Sequence, residues 1–211
     1  MVRTVDPITE RQFQDGSAFC FLTDPSNTER HQEFDNLFNA PLSIDIAHHE
    51  IHEGDSFSLY VREVGIADTA TIEILIQTPA VTSPQKRIHL IAEHAASTAH
   101  LFDIIEGATY ASGGAAVTPI NRERGSAKTT ALQAAYTGTT AANIVTGGTP
   151  ATVWGQLLGA GRTSGGSSRG VDEWVLAPDE SYLFQITSAG GGGSTCNAFI
   201  GLVWYEHTDS V

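Results

Sequence analysis

Short apolar runs separated by glycine-rich connections fill the second half of the chain. The runs include TIEILIQT at residues 71–78, YLFQIT at 182–187 and AFIGLVWY at 198–205. In residues 56–64, SFSLYVREV, apolar and polar positions alternate, so that Phe57, Leu59 and Val61 lie on one face of a predicted strand. Glycine and serine dominate the connections at 159–170 and 188–194. This pattern is typical of a β scaffold with loops at its surface.

Turn residues divide the chain into about eight predicted strands. These cover residues 56–64, 70–78, 87–93, 100–105, 151–158, 173–176, 182–187 and 196–206, with turns at 65–69 and 178–180. The run at 115–121 is either a further strand or the outer part of a hairpin, and residues 130–145 fit neither period. GGGGS at 190–194 is expected at the tip of a hairpin. The pattern contains no helices of crossover length between strands. We predict an all-β, antiparallel β-sandwich, jelly-roll-like or immunoglobulin-like.

Residues 1–40 form a predicted N-terminal arm, and residues 41–211 form the predicted sandwich domain. The arm is polar and mixed in charge, and a turn at 24–27 precedes a predicted short helix at residues 30–38. The arm nevertheless contains five of the nine phenylalanines, which favours contact with the sandwich or with a neighbouring subunit. The predicted interface residues of the arm are Phe13, Phe19, Phe21, Phe34 and Phe38.

The chain is strongly acidic, with 24 acidic and 11 basic residues and a net charge of −13. Such a surface repels phosphate backbones, so we expect no nucleic-acid partner. The N-terminal segment lacks the apolar stretch of a secretory signal, and no apolar run reaches the ~18 residues of a membrane span. We therefore expect no membrane partner and a protein made in a cytoplasm. Cys20 and Cys196 stand among apolar or small residues, which favours buried thiols over a disulfide.

Histidines and glutamates concentrate at residues 48–53, HHEIHE, the strongest metal candidate in the sequence. On a helix His48 and His52 share a face, whereas on a strand residues 48, 50 and 52 do. One residue separates Glu50 from His52 where a zincin motif has two. The glycine at 54 favours a strand that runs into a turn. We expect no bound metal here.

The remaining motifs do not form a catalytic set. Ser168 matches G-x-S-x-G, but it lies in a glycine-serine loop instead of a strand-to-helix turn. Alternation places His94 on one face of its strand and His89 on the other, so these two and His100 are not expected to converge. We predict no catalytic residue, no cofactor and no enzyme activity.

Asn121-Arg122-Glu123-Arg124 is the densest basic segment of this acidic chain. One interpretation is a hairpin tip with local ion pairs. The other is a docking patch in which Arg122 and Arg124 pair with carboxylates of a partner, because guanidinium groups match carboxylate geometry.

Three segments resemble tailed-bacteriophage virion proteins, in particular capsid decoration (cement) and head-associated proteins. They are IDIAHHEIHEGDSFSLYVREV at residues 44–64, EGATYASGGAAVTPINRER at 106–124 and LAPDESYLFQITSAGGGGSTCNAFIGLVWYEH at 176–207. The resemblance implies a jelly-roll sandwich and a homotrimer. It also implies a structural role on the capsid exterior of the virion, where the protein bridges neighbouring subunits of the major capsid protein after assembly in the host cytoplasm.

Two other functions remain open. The first is a receptor- or glycan-binding head fibre or tail accessory protein, with the loops at 159–170 and 188–194 as its recognition surface. The second, more remote, is a cupin-like metalloenzyme that uses His48, His52 and Glu53. The three functions belong to different classes, and a fold alone does not decide among them.

Overall fold

The computed structural model describes residues 21–23, 29–31, 46–109, 114–139, 150–165 and 172–208. The chain divides into two compact units, Met1–Ile46 and Ala47–Val211. The sequence places the boundary between residues 40 and 41. Among the described residues, no helix is long and apolar enough to cross a membrane.

The first unit contains a short antiparallel strand pair, β1 (Phe21–Thr23) and β2 (Glu29–His31), in which Phe21 lies opposite His31. The predicted helix at residues 30–38 is therefore wrong at its start, because the backbone at 30 and 31 pairs with β1 instead of coiling. Residues 32–38, with Phe34 and Phe38, lie outside the described residues, as do Phe13, Phe19 and Cys20.

A short helix that starts at Ile46 forms the beginning of the second unit, and strands follow it. In chain order its elements are α1 (Ile46–His52), β3 (Ser56–Ala67), β4 (Thr71–Gln77), β5 (Lys86–Ala96), β6 (His100–Glu106), β7 (Ala115–Ala116), β8 (Ile120–Asn121), β9 (Ala134–Thr139), β10 (Ala151–Leu158), β11 (Thr163–Gly165), β12 (Trp174–Leu176), β13 (Ser181–Ser188) and β14 (Thr195–Thr208).

These strands form two antiparallel sheets that pack against each other, which confirms the predicted all-β sandwich. Sheet A has the order β10-β6-β13-β4-β9-β7, and sheet B has the order β11-β5-β14-β3-β8, with β12 also paired to β5. The pairing is nested, since β3 pairs with β14, β4 with β13, β5 with β11 and β12, and β6 with β10. Successive strands such as β3 and β4 lie in different sheets. This wrapping is that of a jelly roll and differs from the immunoglobulin-like alternative.

The segment between β6 and β10 is an insertion that extends both sheets at the same side. Within it, β9 adds to β4 in sheet A and β8 adds to β3 in sheet B. The run at 115–121 thus contains two two-residue strands in different sheets, and β9 lies in the segment that fitted neither period. The insertion carries the arginines singled out in the sequence.

The core lies between the sheets and follows the predicted alternation. Phe57, Leu59 and Val61 of β3 are buried, as is Trp204 of β14, which is fully enclosed. Cys196 is also buried and carries a free thiol. About 1.5–3 kcal/mol of stabilisation accompanies full burial of each large apolar side chain.

The predicted turn at residues 65–69 begins later than expected, because β3 continues to Ala67 and the chain turns at residues 68–69. Between the pairs Ala198–Glu63 and Cys196–Ile66 the partner strand β14 advances two residues while β3 advances three. One extra residue makes this a β-bulge, and Gly65 accommodates it with a φ of +77°. The bulge returns Ile66 to the core, where it is 1% exposed.

Two glycine-rich segments also differ from expectation. The GGGGS segment does not form a hairpin tip, since β13 belongs to sheet A and β14 to sheet B, so residues 189–194 cross between sheets. The predicted loop at 159–170 contains β11, which pairs with β5. The sequence did not predict β11 because the segment around it is rich in glycine, which is typical of loops.

Candidate functional site

The histidine-rich segment forms α1, so the predicted strand is wrong. The helix ends at a glycine cap: Gly54 has a φ of +76°, and its N–H donates to the carbonyl of Ile51 at 3.1 Å. The N–H of Asp55 donates to the carbonyl of Glu50 at 2.9 Å. These two bonds satisfy the last helical carbonyls in a Schellman motif. The glycine read as a strand turn is therefore the residue that terminates a helix.

On α1, His48 and His52 face each other, with 2.9 Å between their Nε2 atoms. Glu53 does not join them, because its carboxylate lies 3.9 Å from Nε2 of His49. The set of His48, His52 and Glu53 required by the metalloenzyme hypothesis is thus not assembled. Nowhere in the described ranges do three or more histidine, cysteine or acidic side chains group as metal ligands.

His94 and His100 meet in the core between the sheets, contrary to the expectation that they would not converge. Nδ1 of His94 lies 3.2 Å from Nε2 of His100, and both residues are buried. Nδ1 of His100 lies 3.2 Å from the carbonyl oxygen of Thr98, which can only accept. His100 Nδ1 is therefore the donor to Thr98, and its Nε2 accepts from His94.

Burial is the main cause that lowers the pKa of His94 from 6.5 to about 4, and the neighbouring His100 contributes to the same lowering. The His94 ring also stacks on Phe102, with ring centroids 4.0 Å apart. The two imidazoles, with their rings edge to face, join sheet B to sheet A. We assign them a structural role, since they are closed to substrates.

The predicted arginine patch lies on a turn that follows β8, and residues 121–128 are named the arginine turn. Its position is fixed by Asn121, whose side-chain amide donates to the carbonyls of Gly54 at 2.7 Å and Lys128 at 3.1 Å. The N–H of Arg122 donates to the carbonyl of Ser56 at 2.9 Å. The turn is thus closed on itself and fastened to the start of β3.

Both arginines of this turn are exposed. Arg122 donates from its guanidinium to Oγ of Ser56 at 3.3 Å, and Arg124 donates to the carbonyl of Asn121 at 3.2 Å. Glu123 accepts from the N–H of Gly125 at 3.1 Å. The bond of Arg124 to Asn121 orients the guanidinium group. Because a guanidinium has five N–H donors, other donors of Arg124 can bind acceptors of a partner.

A buried carboxylate holds the residues that follow the arginine turn. Glu206 is 1% exposed and accepts from Oγ1 of Thr130 at 2.5 Å, from the N–H of Ala131 at 2.9 Å and from Nε1 of Trp204 at 3.2 Å. Lys86 lies 3.5 Å from the same carboxylate. This network connects the insertion to the core strand β14.

A second ion pair fastens the turn to the end of α1. Nζ of Lys128 donates to Oδ2 of Asp55 at 2.7 Å. That hydrogen bond is the main cause of a raised pKa for Lys128, which is exposed. A solvated pair contributes little stability by itself, so its role is to limit the positions that the turn can take.

Sequence reasoning missed Glu206, although a signal was present. In β14 the inward positions continue from Leu202 through Trp204 to Glu206, so alternation places a carboxylate in the core. A buried carboxylate requires hydrogen-bond donors, and the nearby insertion supplies them.

The outer face of sheet B carries an aromatic pair, Tyr60 and Phe199. Their ring centroids are 6.4 Å apart, and Tyr60 is 53% exposed. The Phe199 ring lies over Gly201, where a Cβ would come within 2.8 Å of Cζ. Glycine at 201 therefore lets the ring lie flat on the sheet. Arg62 lies beside Phe199 in the register.

Strand β10 forms one edge of sheet A in the described part of the chain. Its sequence, ATVWGQLL, contains no charged residue, and Leu157 is 69% exposed. On the neighbouring strand Leu101 is 39% exposed. An uncharged edge with exposed apolar side chains favours contact with another chain.

Comparisons with protein-family models, with curated proteins and with solved structures found no match to this chain.

Proposed function

We propose that this chain is a structural virion protein, a capsid decoration (cement) protein that bridges neighbouring subunits of the major capsid protein. The observation that carries the proposal is the arginine turn: Arg122 and Arg124 are exposed on a backbone fastened to Gly54 and Ser56. A rigid pair of guanidinium groups on a very acidic protein selects a partner that presents carboxylates.

The proposed attachment combines two surfaces. The arginine turn supplies charge recognition, and the β10 edge with Leu157 supplies apolar burial. Full burial of such a side chain contributes about 1.5–3 kcal/mol, and a contact of about 1,600 Å² is enough for specific association. Each copy requires only a modest net affinity, because symmetry repeats the contact over the shell. The acidic remainder keeps particles apart.

The test uses capsid shells from particles whose genome does not encode this protein. The purified full-length protein is mixed with the shells, and the amount that sediments with them is measured. We expect saturable binding that Arg122→Ala with Arg124→Ala weakens at least tenfold, about 1.4 kcal/mol. Arg62→Ala, which removes an exposed arginine from the outer face of sheet B, is the matched control and binds like the wild type. Equal binding by the double variant contradicts the arginine docking, and absence of binding by the wild type contradicts the decoration role.

A glycan-binding role is the second candidate, and the Tyr60–Phe199 pair favours it. Flat aromatic rings with a neighbouring arginine suit the apolar face and hydroxyl groups of a sugar ring. This surface lies on the sheet instead of the loops predicted for recognition. A glycan screen that gives a signal abolished by Tyr60→Ala, together with no binding to shells, would favour this candidate over decoration.

A further inference from the structure

Two exposed histidines on α1 form a pair that the proposed function does not use. His48 and His52 are four residues apart, one helical turn, and the Nε2–Nε2 distance is 2.9 Å. Their ring centroids lie 4.8 Å apart with an angle of 46° between the planes. Both side chains are exposed, so a solvated ion has access to the two nitrogens.

The geometry of the pair is close to that of two ligands on one cation. Zinc-bound imidazole nitrogens lie at about 2.0–2.1 Å from the metal, so that two ligands at a tetrahedral angle are about 3.3 Å apart. The Nε2 atoms of His48 and His52 would therefore have to move apart by about 0.4 Å to bind such an ion. Exposed side chains make this change by small torsions. A cation would thus take the place of the proton shared by the two rings.

The surroundings favour positive charge. The chain carries a net charge of −13, so that its surface attracts cations. His52 lies in the last turn of α1, where the helix dipole favours a cation. The glycine cap holds this turn in place, which keeps the two imidazoles on one face.

We propose that His48 and His52 bind a first-row divalent cation, Ni²⁺, Cu²⁺ or Zn²⁺, in an open and exchangeable two-ligand site. Imidazole nitrogen selects these ions over Mg²⁺ and Ca²⁺, which prefer oxygen ligands. Water completes the coordination, since no third protein ligand is grouped with the pair among the described residues. The site is independent of the proposed capsid role.

The test is calorimetric titration of untagged full-length protein with NiCl₂ at pH 7.5. We expect one saturable event that His52→Ala or His48→Ala weakens by on the order of tenfold or more. His49→Ala, on the same helix but outside the pair, is the matched control and changes the affinity less than about twofold. His207→Ala tests a second histidine contact, in which the rings of His89 and His207 lie 4.7 Å apart.

The same titration with MgCl₂ is expected to give no event. Equal nickel affinity in the wild type and His52→Ala would overturn the proposal, and so would a loss produced by His49→Ala or His207→Ala alone. Circular dichroism of each variant provides the second measurement, because an unchanged spectrum assigns the loss to the ligand and not to unfolding.

Discussion

The buried histidine pair predicts that the sandwich loses stability in mild acid. The perturbation is protonation of His94, whose Nδ1 lies 3.2 Å from Nε2 of His100 in the core. The pKa of His94 falls from 6.5 in the unfolded chain to about 4 in the fold. Between these values the unfolded chain binds more protons than the folded one, so the free energy of unfolding decreases as the pH decreases.

The magnitude follows from the two pKa values. At about 1.4 kcal/mol for each pH unit, the complete change is about 3 kcal/mol below pH 4. Between pH 7 and pH 5, where most carboxylates stay ionised, the expected loss is about 2 kcal/mol. That is a substantial fraction of the stability of a typical domain.

Urea unfolding followed by tryptophan fluorescence at pH 7, 6 and 5 measures this loss. His94→Phe removes the titrating group and keeps a ring against Phe102, so its stability should vary much less with pH. It also leaves His100 without its donor, at a cost of about 1–3 kcal/mol at all pH values. His207→Phe, on the outer face of β14, is the control and keeps the wild-type dependence. The reasoning would be refuted if the free energy of unfolding of the wild type changed by less than about 0.5 kcal/mol over this pH range. It would also be refuted if the free energies of unfolding of the wild type and His94→Phe changed with pH in parallel.

Two further predictions concern the buried carboxylate of Glu206 and the assembly of the protein. Glu206→Ala leaves the donors of Thr130, Ala131 and Trp204 without their acceptor and should lower the free energy of unfolding by about 3 kcal/mol, measured by urea unfolding, whereas Glu53→Ala at the exposed end of α1 should change it by less than about 0.5 kcal/mol. The isolated protein should be a homotrimer in analytical ultracentrifugation at micromolar concentration, and a monomer there would contradict assembly before docking.

The sandwich was predictable because its strands obey a period of two. Buried Phe57, Leu59 and Val61 occupy the positions that alternation assigns to the core. The nested strand order was not predictable from such patterns, because pairings such as β3 with β14 join residues more than a hundred positions apart. Local pattern specifies which face is buried and leaves the partner strand undetermined.

The candidate site was predictable only in part. The arginine segment was visible as a basic cluster, but its rigidity depends on the bonds of Asn121 to Gly54 and of Lys128 to Asp55, which join distant parts of the chain. The segment at 48–53 was misread because Gly54 serves equally as a strand turn and as a helix cap. The contact of His94 with His100 joins two sheets, and periodicity along one strand contains no information on that contact.

The most direct test of the central claim is the composition of particles produced by the genome that encodes this chain. Purified particles should be analysed by quantitative mass spectrometry for this protein and the major capsid protein, before and after a high-salt wash. The decoration role predicts a fixed ratio between the two proteins, reproduced from preparation to preparation, and a reduced ratio when Arg122 and Arg124 are both replaced by alanine. Particles that lack the protein, or that carry it at a ratio that varies between preparations, would contradict it.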